Sequence, residues 1–346
     1  KELVSGAFVN RGNAKIKLER YDDAIEDYDR AIDLNPDFAK AFNNRGLAKY
    51  ELKDYDGAIA DYDRAIELKP DYTFAFNNRG AAKYEIKDYD GAIADFDRAI
   101  ELKPDFADAF VNRGSARVNL QRYDDAISDY DKAIELKPHL ADAFYNRGIA
   151  KGNLERYDDA IADYDKAIEL KPDVAEAFVV RGIAKGNLER YDDAIADYDR
   201  AIELKPDFAE AFNTRGAAKY KLERYDDAIA DYDRAIKLKP DYAEAFSNRA
   251  GAYIFLARSQ GIEPGEHELF RKAKEDAVKA LELSEGEIGL YNLACAEALL
   301  LEKDKAFKHL DEVLEKDLIS LEHVKEDEDW DHLREEPEFQ RIIARF

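Results

Sequence analysis

The stretch from Ala175 to Phe208, AEAFVVRGIAKGNLERYDDAIADYDRAIELKPDF, is one 34-residue unit of a repeat that decides the fold. The glycine of its Arg-Gly pair, Gly182, recurs every 34 residues along most of the chain, and so does its proline, Pro206. A fixed period of this length is typical of proteins built from stacked units. Because stacked units share one continuous core, the period predicts one extended array rather than separate domains.

We count each unit from position 1, seven residues before its glycine. The units then begin at Ser5, Ala39, Thr73, Ala107, Ala141, Ala175, Ala209 and Ala243. Apolar or small residues at positions 17, 20, 21, 24, 27 and 28 follow the rhythm of an amphipathic helix. An earlier cluster at positions 4, 8 and 10 predicts a first helix, separated from the second by a break near positions 14 to 16.

Small residues and capping signals support this helix pair. Gly182 and Ala194 allow the two helices to approach closely beside the ring of Tyr198. Asp207 and Glu210 have the spacing of a capping box at the start of the next first helix. One isolated pair cannot bury its apolar surface, so neighbouring pairs are expected to stack.

The repeat resembles the tetratricopeptide repeat family over residues 5–242. The shared pattern is an aromatic residue at position 4, glycine at 8, tyrosine at 17, alanine at 20, tyrosine or phenylalanine at 24, alanine at 27 and proline at 32. The resemblance implies an all-α, right-handed superhelical solenoid of helix-turn-helix repeats with a C-terminal helical cap. It also implies that first helices line the concave side, with positions 2, 5, 6, 9, 12 and 13 facing inward.

The regular pattern loosens toward the C-terminus, which predicts three segments. Residues 1–242 hold seven regular units, and residues 243–316 hold two divergent helix pairs with an insertion at 259–267. Residues 317–346 resemble the tail that often closes bacterial arrays of this family. We expect its apolar side chains to cover the last open face of the stack. They are Trp330, Leu333, Phe339, Ile342 and Ile343.

Position 7 departs from the family, which usually has leucine there. This chain has arginine in eight units: Arg11, Arg45, Arg79, Arg113, Arg147, Arg181, Arg215 and Arg249. A packed arginine needs a partner, because an unpaired buried charge costs several kcal/mol. The aspartates at position 23, with Asp276 in the eighth unit, predict one ion pair between the helices of each repeat. A row of arginines facing a ligand is the alternative.

The charge and the absence of motifs exclude several functions. Lysine and arginine number 53 against 77 aspartates and glutamates, a net charge of −24, which argues against nucleic-acid and membrane partners. No apolar run approaches the length of a membrane span. The chain lacks GxGxxG, GxxxxGK, GxSxG and HExxH, so we expect neither an enzyme nor a cofactor. Cys295 lies in an apolar helix and is expected in the core.

A weak metal signal lies near the C-terminus. Asp327, Asp329, Asp331 and Glu338 have the spacing of calcium-loop ligands. His332 stands where such a loop requires glycine. We therefore expect an acidic, solvated turn and no metal.

Position 6 carries a row of asparagines, interrupted by Val180 and Thr214. A carboxamide both donates and accepts, so such a row can bond the backbone of an extended peptide without reading its side chains. The other interpretation is that these asparagines bond neighbouring repeats, and both stay open. The asparagines are Asn10, Asn44, Asn78, Asn112, Asn146 and Asn248.

Between the asparagines, the inward positions of units four to six become apolar. The chain has Tyr145, Ile149, Val180 and Ile183 there, with Val111, Val118 and Val179 beside them. At position 12, Gly152 and Gly186 replace the tyrosines Tyr50, Tyr84 and Tyr220. The exchange leaves space and predicts an apolar pocket; drift between nearly duplicate repeats is the alternative. With the asparagines, Tyr50, Tyr84, Tyr145, Ile149, Val180 and Ile183 complete the predicted peptide-binding set.

These features together predict a protein–protein interaction scaffold that binds an extended segment of another protein in its concave groove. Acidic residues at position 2, such as Glu176, make a basic segment one option, although helix capping explains the same residues. The runner-up is an architectural or self-assembling array, which includes a consensus-designed sequence, without a specific ligand. A third option is an accessory module of a larger protein.

Overall fold

The computed structural model describes residues 2–284 and 288–346, and within these residues it contains helices and no strand. The chain divides into two compact units, one ending at Pro172 and the other beginning at Asp173. Each unit is a succession of helix-turn-helix repeats, which confirms the predicted all-α repeat fold.

The first unit contains five helix pairs. Its first helices are α1 (Glu2–Ile16), α3 (Ala39–Glu51), α5 (Thr73–Glu85), α7 (Ala107–Asn119) and α9 (Ala141–Asn153). Its second helices are α2 (Tyr21–Leu34), α4 (Tyr55–Leu68), α6 (Tyr89–Leu102), α8 (Tyr123–Leu136) and α10 (Tyr157–Leu170).

The second unit continues the alternation and ends in a tail. Its pairs are α11 (Ala175–Asn187) with α12 (Tyr191–Leu204), α13 (Ala209–Lys221) with α14 (Tyr225–Leu238), α15 (Ala243–Ser259) with α16 (Glu268–Leu283), and α17 (Leu290–Leu299) with α18 (Lys303–Glu315). The tail contains α19 (Leu321–Glu326), a 3-10 helix (Glu328–Leu333) and α20 (Pro337–Ile343).

The turn inside each regular repeat confirms the predicted break. The residue at position 15 adopts a left-handed backbone conformation, with φ of 59° at Glu189 and 62° at Lys53. This conformation cannot continue a right-handed helix, so the first helix stops and the second begins two residues later at a tyrosine.

The glycine at position 8 provides the close approach that the sequence predicts. A Cβ atom on Gly182 would lie 2.6 Å from Cε1 of Tyr198, inside van der Waals contact. In the eighth unit the equivalent pair is Ala250 and Ala277, both fully buried. Where alanine replaces this glycine in the eighth unit, an alanine also replaces the aromatic ring on the second helix.

The predicted capping box is wrong. The N-cap of α13 is Phe208, and no side chain caps this helix. The backbone carbonyl of Phe208 accepts from the amide of Ala211 at 3.1 Å instead. The chain thus enters its first helices through backbone hydrogen bonds.

Arginine at position 7 forms the predicted ion pair and a second one. Arg45 donates to both carboxylate oxygens of Asp61, at 2.9 and 2.5 Å, and to Asp29 of the preceding repeat at 2.6 Å. The Nζ atom of Lys49 lies 2.8 Å from Oδ2 of Asp61, which also accepts from Nε of Arg45. These aspartate hydrogen bonds raise the pKa of Arg45. An Asp-Arg-Asp bridge therefore links consecutive repeats.

The eighth repeat keeps the same arrangement, as predicted. Arg249 lies 2.7 Å from Asp276 and also pairs with Asp233 of the preceding repeat. Arg11, whose ion pair is with Asp27 of its own repeat, has a side chain 61% exposed, against 20% for Arg45. The arginine at position 7 is thus buried by contact with the second helix of the preceding repeat, which Arg11 lacks.

The apolar side chains of the tail pack onto the last helix pair. Trp330, Leu333, Phe339 and Ile342 are buried in one cluster with residues of α17 and α18, such as Leu310, and Ile343 is partly buried against it. That these residues form a separate capping segment, with boundaries at 242 and 316, stays a prediction.

Candidate functional site

The first helices of each unit form a layer in which consecutive members contact one another. We call the surface made by positions 5, 6, 9, 12 and 13 of these helices the first-helix face. Its polar side chains are mostly half-buried, as Asn78 and Tyr84 are. Most of the predicted binding residues belong to this face.

A chain of side-chain hydrogen bonds crosses the first-helix face from repeat to repeat. The amide of Asn78 donates to Asn43 of the preceding repeat at 3.1 Å, and Asn112 donates to Asn77 at the same distance. In the second unit Asn248 donates to Asn213 at 3.1 Å. The interpretation that the asparagines bond neighbouring repeats is therefore confirmed for these residues.

Two further contacts extend this row. Asn44 donates to Asn13 at 2.7 Å, and Asn292 donates to the backbone carbonyl of Ser247 at 2.8 Å. Sequence reasoning missed the acceptors at position 5. The available signal was that an asparagine at position 5 precedes a position-6 asparagine in the next repeat at Asn43, Asn77 and Asn213.

Asn146 differs from the other half-buried asparagines of the row. Within the described residues its side chain makes no hydrogen bond. The preceding repeat has Val111 at position 5, where the repeats before Asn78, Asn112 and Asn248 have an asparagine, and Asn146 has no contact like the one from Asn44 to Asn13 at position 9. Asn10 is exposed in the first repeat. The donor and acceptor capacity of Asn146 is thus unused by the protein.

The predicted tyrosines lie in a second row of contacts between repeats. Tyr50 donates to Glu85 at 3.3 Å, and Tyr84 accepts from Asn119 at 2.8 Å. Burial, assisted by Glu85, raises the pKa of Tyr50 to about 12. Both hydroxyls therefore connect neighbouring first helices.

In the first unit, the apolar part of the face surrounds Asn146. Tyr145 packs toward Tyr164, with ring centroids 6.1 Å apart, and Ile149 is half-buried. A Cβ atom on Gly152 would meet only the hydroxyl of Tyr164, at 3.7 Å. The space predicted beside the position-12 glycine is present.

In the second unit, Val180 is half-buried and Ile183 is 38% exposed. A Cβ atom on Gly186 would have no atom within 4 Å. Val179 does not line the face, since it is only 2% exposed and belongs to the core. That these side chains and those around Asn146 form one pocket stays a prediction.

Three of the acidic residues at position 2 are paired with lysines. Asp108 and Asp142 lie 2.8 Å from Lys137 and Lys171, and Glu176 lies 3.0 Å from Lys205. A backbone hydrogen bond, together with Lys205, lowers the pKa of Glu176. These carboxylates are therefore partly neutralised by lysines of their own repeats.

The acidic stretch of the tail does not gather as a calcium loop. Asp331 pairs with Arg334 at 2.7 Å, and Glu338 pairs with Arg341, while Asp327 and Asp329 turn toward Arg258. The expectation of a fully solvated turn is wrong for Asp329, which is only 3% exposed.

Asp327 and Asp329 lie near the thiol of Cys295, which is buried as predicted. Their potential ligand atoms lie within 4.8 Å of one another. Arg258 already pairs with both side chains, and Tyr291 donates to Asp327 at 2.7 Å. Burial and the neighbouring Asp327 raise the pKa of Asp329 to about 7. This arrangement is a buried ion-pair cluster that holds the tail on α15 and α17.

Family models described as tetratricopeptide repeat match residues 9–73, 179–243, 213–254, 74–106 and 141–174, and a model described as TPR repeat matches 114–155. Together they cover more than half of the chain. The chain belongs to the tetratricopeptide repeat family. No curated protein matches it in sequence.

Solved structures of tetratricopeptide repeat proteins resemble the fold. One from Parabacteroides merdae is 17% identical with a TM-score of 0.57, covering 72% of this chain and 99% of its own. A chain of the APC/C hetero-tetramer Cut9-Hcn1 is 18% identical with a TM-score of 0.57, and the match covers 85% of this chain and 55% of that one. YrrB, a TPR protein with an unusual peptide-binding site, is 24% identical with a TM-score of 0.46, and the match covers 54% of this chain and 97% of YrrB.

The first two of these likenesses show the fold alone. The tetratricopeptide repeats themselves indicate a protein–protein interaction scaffold with protein or peptide partners, and such repeat proteins are typically non-enzymatic. In the described part of the chain, none of the helices has the length and apolar character needed to cross a membrane.

Proposed function

We propose that the first-helix face binds an extended segment of another protein, and that Asn146 is its central contact. The unused carboxamide of Asn146 carries this proposal. Its oxygen and its two N–H groups are free of other side chains, and a peptide backbone offers both the N–H and the carbonyl that they can bond. The other asparagines keep the repeats in register while retaining one N–H each.

The surroundings of Asn146 suit one apolar side chain of such a segment. Ile149 and Tyr145 provide apolar surface, and Gly152 leaves open the volume that tyrosine takes in three other repeats. Val180, Ile183 and Gly186 offer the same combination on the face of the second unit. A basic segment remains one option, supported by the net charge of −24.

The experiment uses the full chain to select peptides from a display library and then measures their affinity by fluorescence anisotropy. Asn146→Ala should weaken a selected peptide at least about fivefold, because at least one hydrogen bond of about 1 kcal/mol is lost. Gly152→Tyr should abolish binding by filling the space, and the fold should tolerate it because Tyr50, Tyr84 and Tyr220 occupy this position.

Asn35→Ala is the matched control, since it makes the same chemical change in the turn after α2. Circular dichroism checks that all variants are folded. Unchanged affinity in both Asn146→Ala and Gly152→Tyr contradicts the proposal.

The architectural array is the second candidate. The bonds that Asn44, Asn78, Asn112 and Asn248 make to preceding repeats favour it, because they assign these amides to stacking. Failure of the full chain to enrich any peptide above background would support this alternative over peptide binding.

A further inference from the structure

A cavity of about 420 Å³ lies in the second unit, between the first helices α13, α15 and α17 and the tail segment that begins at His323. On the helices it is lined by residues of the first-helix face, including Tyr220, Phe255 and Tyr291. On the tail it is lined by Glu326 and Glu328, among others. The cavity is therefore bounded by aromatic rings on one side and carboxylates on the other.

The aromatic walls already hold a cation. The guanidinium carbon of Arg258 lies 4.7 Å from the centre of the Phe255 ring, and Tyr220 packs edge-on against Phe255 with centroids 5.3 Å apart. An aromatic face attracts a cation through its quadrupole, most strongly where water is excluded. The geometry of these rings thus suits a second positively charged group that enters from solvent.

The charges of the lining favour such a group. Four carboxylates line the cavity, and Arg258 is the one arginine or lysine among the lining residues. Arg258 pairs with the two inner carboxylates, those of Asp327 and Asp329. Glu326 and Glu328 are exposed at the opening and, within the described residues, make no ion pair or side-chain hydrogen bond. The opening therefore carries negative charge that the chain itself does not balance.

We propose that this cavity binds a lysine or arginine side chain of the partner segment, with its charged group over the aromatic rings and paired to Glu326 and Glu328. The inference rests on the proposed function, because Tyr291 and Asn292, at positions 5 and 6 of α17, place the cavity on the first-helix face of the second unit. It assigns a position and a chemistry to the basic character of the partner.

The chain's one tryptophan, Trp330, lies next to Asp329 and is fully buried, so its fluorescence reports on this region. The probes are a short, capped Gly-Ala peptide with one central lysine and the same peptide with norleucine in its place. Titration of the full chain should show at least fivefold tighter binding of the lysine peptide, from a cation–π contact and exposed ion pairs of about 1 kcal/mol or more together.

The test variant is Glu326→Gln with Glu328→Gln, which should reduce the preference for lysine at least about threefold. The control is Glu322→Gln with Glu335→Gln, which removes equal charge from exposed tail positions outside the cavity. An unchanged emission spectrum of Trp330 in the free variants shows that the tail is still docked.

Equal binding of the two peptides, or equal effects of the test and control variants, overturns the cation site. If both peptides bind equally, segment binding survives and only the cation site fails. If neither binds, the cation site is overturned, and the Asn146→Ala and Gly152→Tyr measurements decide the proposed function separately.

Discussion

The aspartate at position 23 is the residue on which each joint between repeats depends. Asp61 is only 4% exposed and accepts two hydrogen bonds from Arg45, and Lys49 pairs with its Oδ2 atom. Asp29, which holds the same arginine from the preceding repeat, has a side chain 49% exposed. A buried carboxylate whose loss leaves two cations without their partner matters more than one screened by water.

This difference predicts unequal effects of the same substitution on one arginine. Asp61→Ala should lower the free energy of unfolding by about 3–5 kcal/mol, as breaking a buried ion pair does. Asp29→Ala should cost less than about 1 kcal/mol. Urea denaturation measures both, with hydrogen exchange in α3 and α4 locating the weakened joint. Equal losses would show that burial does not set the strength of this bridge.

At the scale of helices, the second helices start in two ways. Asp54 and Asp88 accept from the amides of Gly57 and Gly91 at 3.0 Å, as side-chain caps. A Cβ atom on Gly57 would lie 2.1 Å from the Asp54 carboxylate, so any other residue at this position requires the carboxylate to move. In other repeats an arginine replaces the cap and pairs with the aspartate three residues later, as Arg190 does with Asp193 at 2.9 Å.

The two starts should differ in strength. Asp54→Ala should destabilise α4 by about 1 kcal/mol, because a helix amide loses its acceptor. Arg190→Ala should cost less than about 0.5 kcal/mol, because an exposed pair contributes little. Thermal unfolding followed by circular dichroism compares them. The double variant Asp54→Arg with Gly57→Asp replaces the side-chain cap of α4 by the arginine–aspartate pair of the other repeats. It should be more stable than Asp54→Ala. If it is not, the pair cannot substitute for the cap.

At the scale of the molecule, the period made the helices and their close contacts predictable. Gly182 and Tyr198 reveal their contact because the same pair recurs at one spacing. Asn78 and Asn43 lie 35 residues apart, and solvent or a ligand could equally satisfy either carboxamide. The hydrogen bond between them could therefore not be predicted from the sequence. The docking of Asp327 and Asp329 on Arg258 was hidden because it occurs once and joins residues distant in sequence.

That tail contact makes stability depend on pH through Asp329. Burial and Asp327 raise the pKa of Asp329 to about 7 from its ordinary value of 3.8, so the folded chain retains a proton that the unfolded chain has lost across this range. Stability contributed by this group therefore falls as the pH rises from about 4 to about 7, by an amount on the order of 1–4 kcal/mol. Above the folded pKa the loss is complete.

Asp329→Asn removes this titration while keeping the size of the side chain. Its stability relative to the unmodified chain should rise as the pH is raised from about 4 to about 7 and then level off. Urea unfolding followed by Trp330 fluorescence at several pH values gives that difference, in which the other titrating groups cancel. Asp331→Asn is the control, because Asp331 is exposed and pairs with Arg334. A difference that does not change with pH would mean that Asp329 is ionised throughout, with Arg258 compensating its burial.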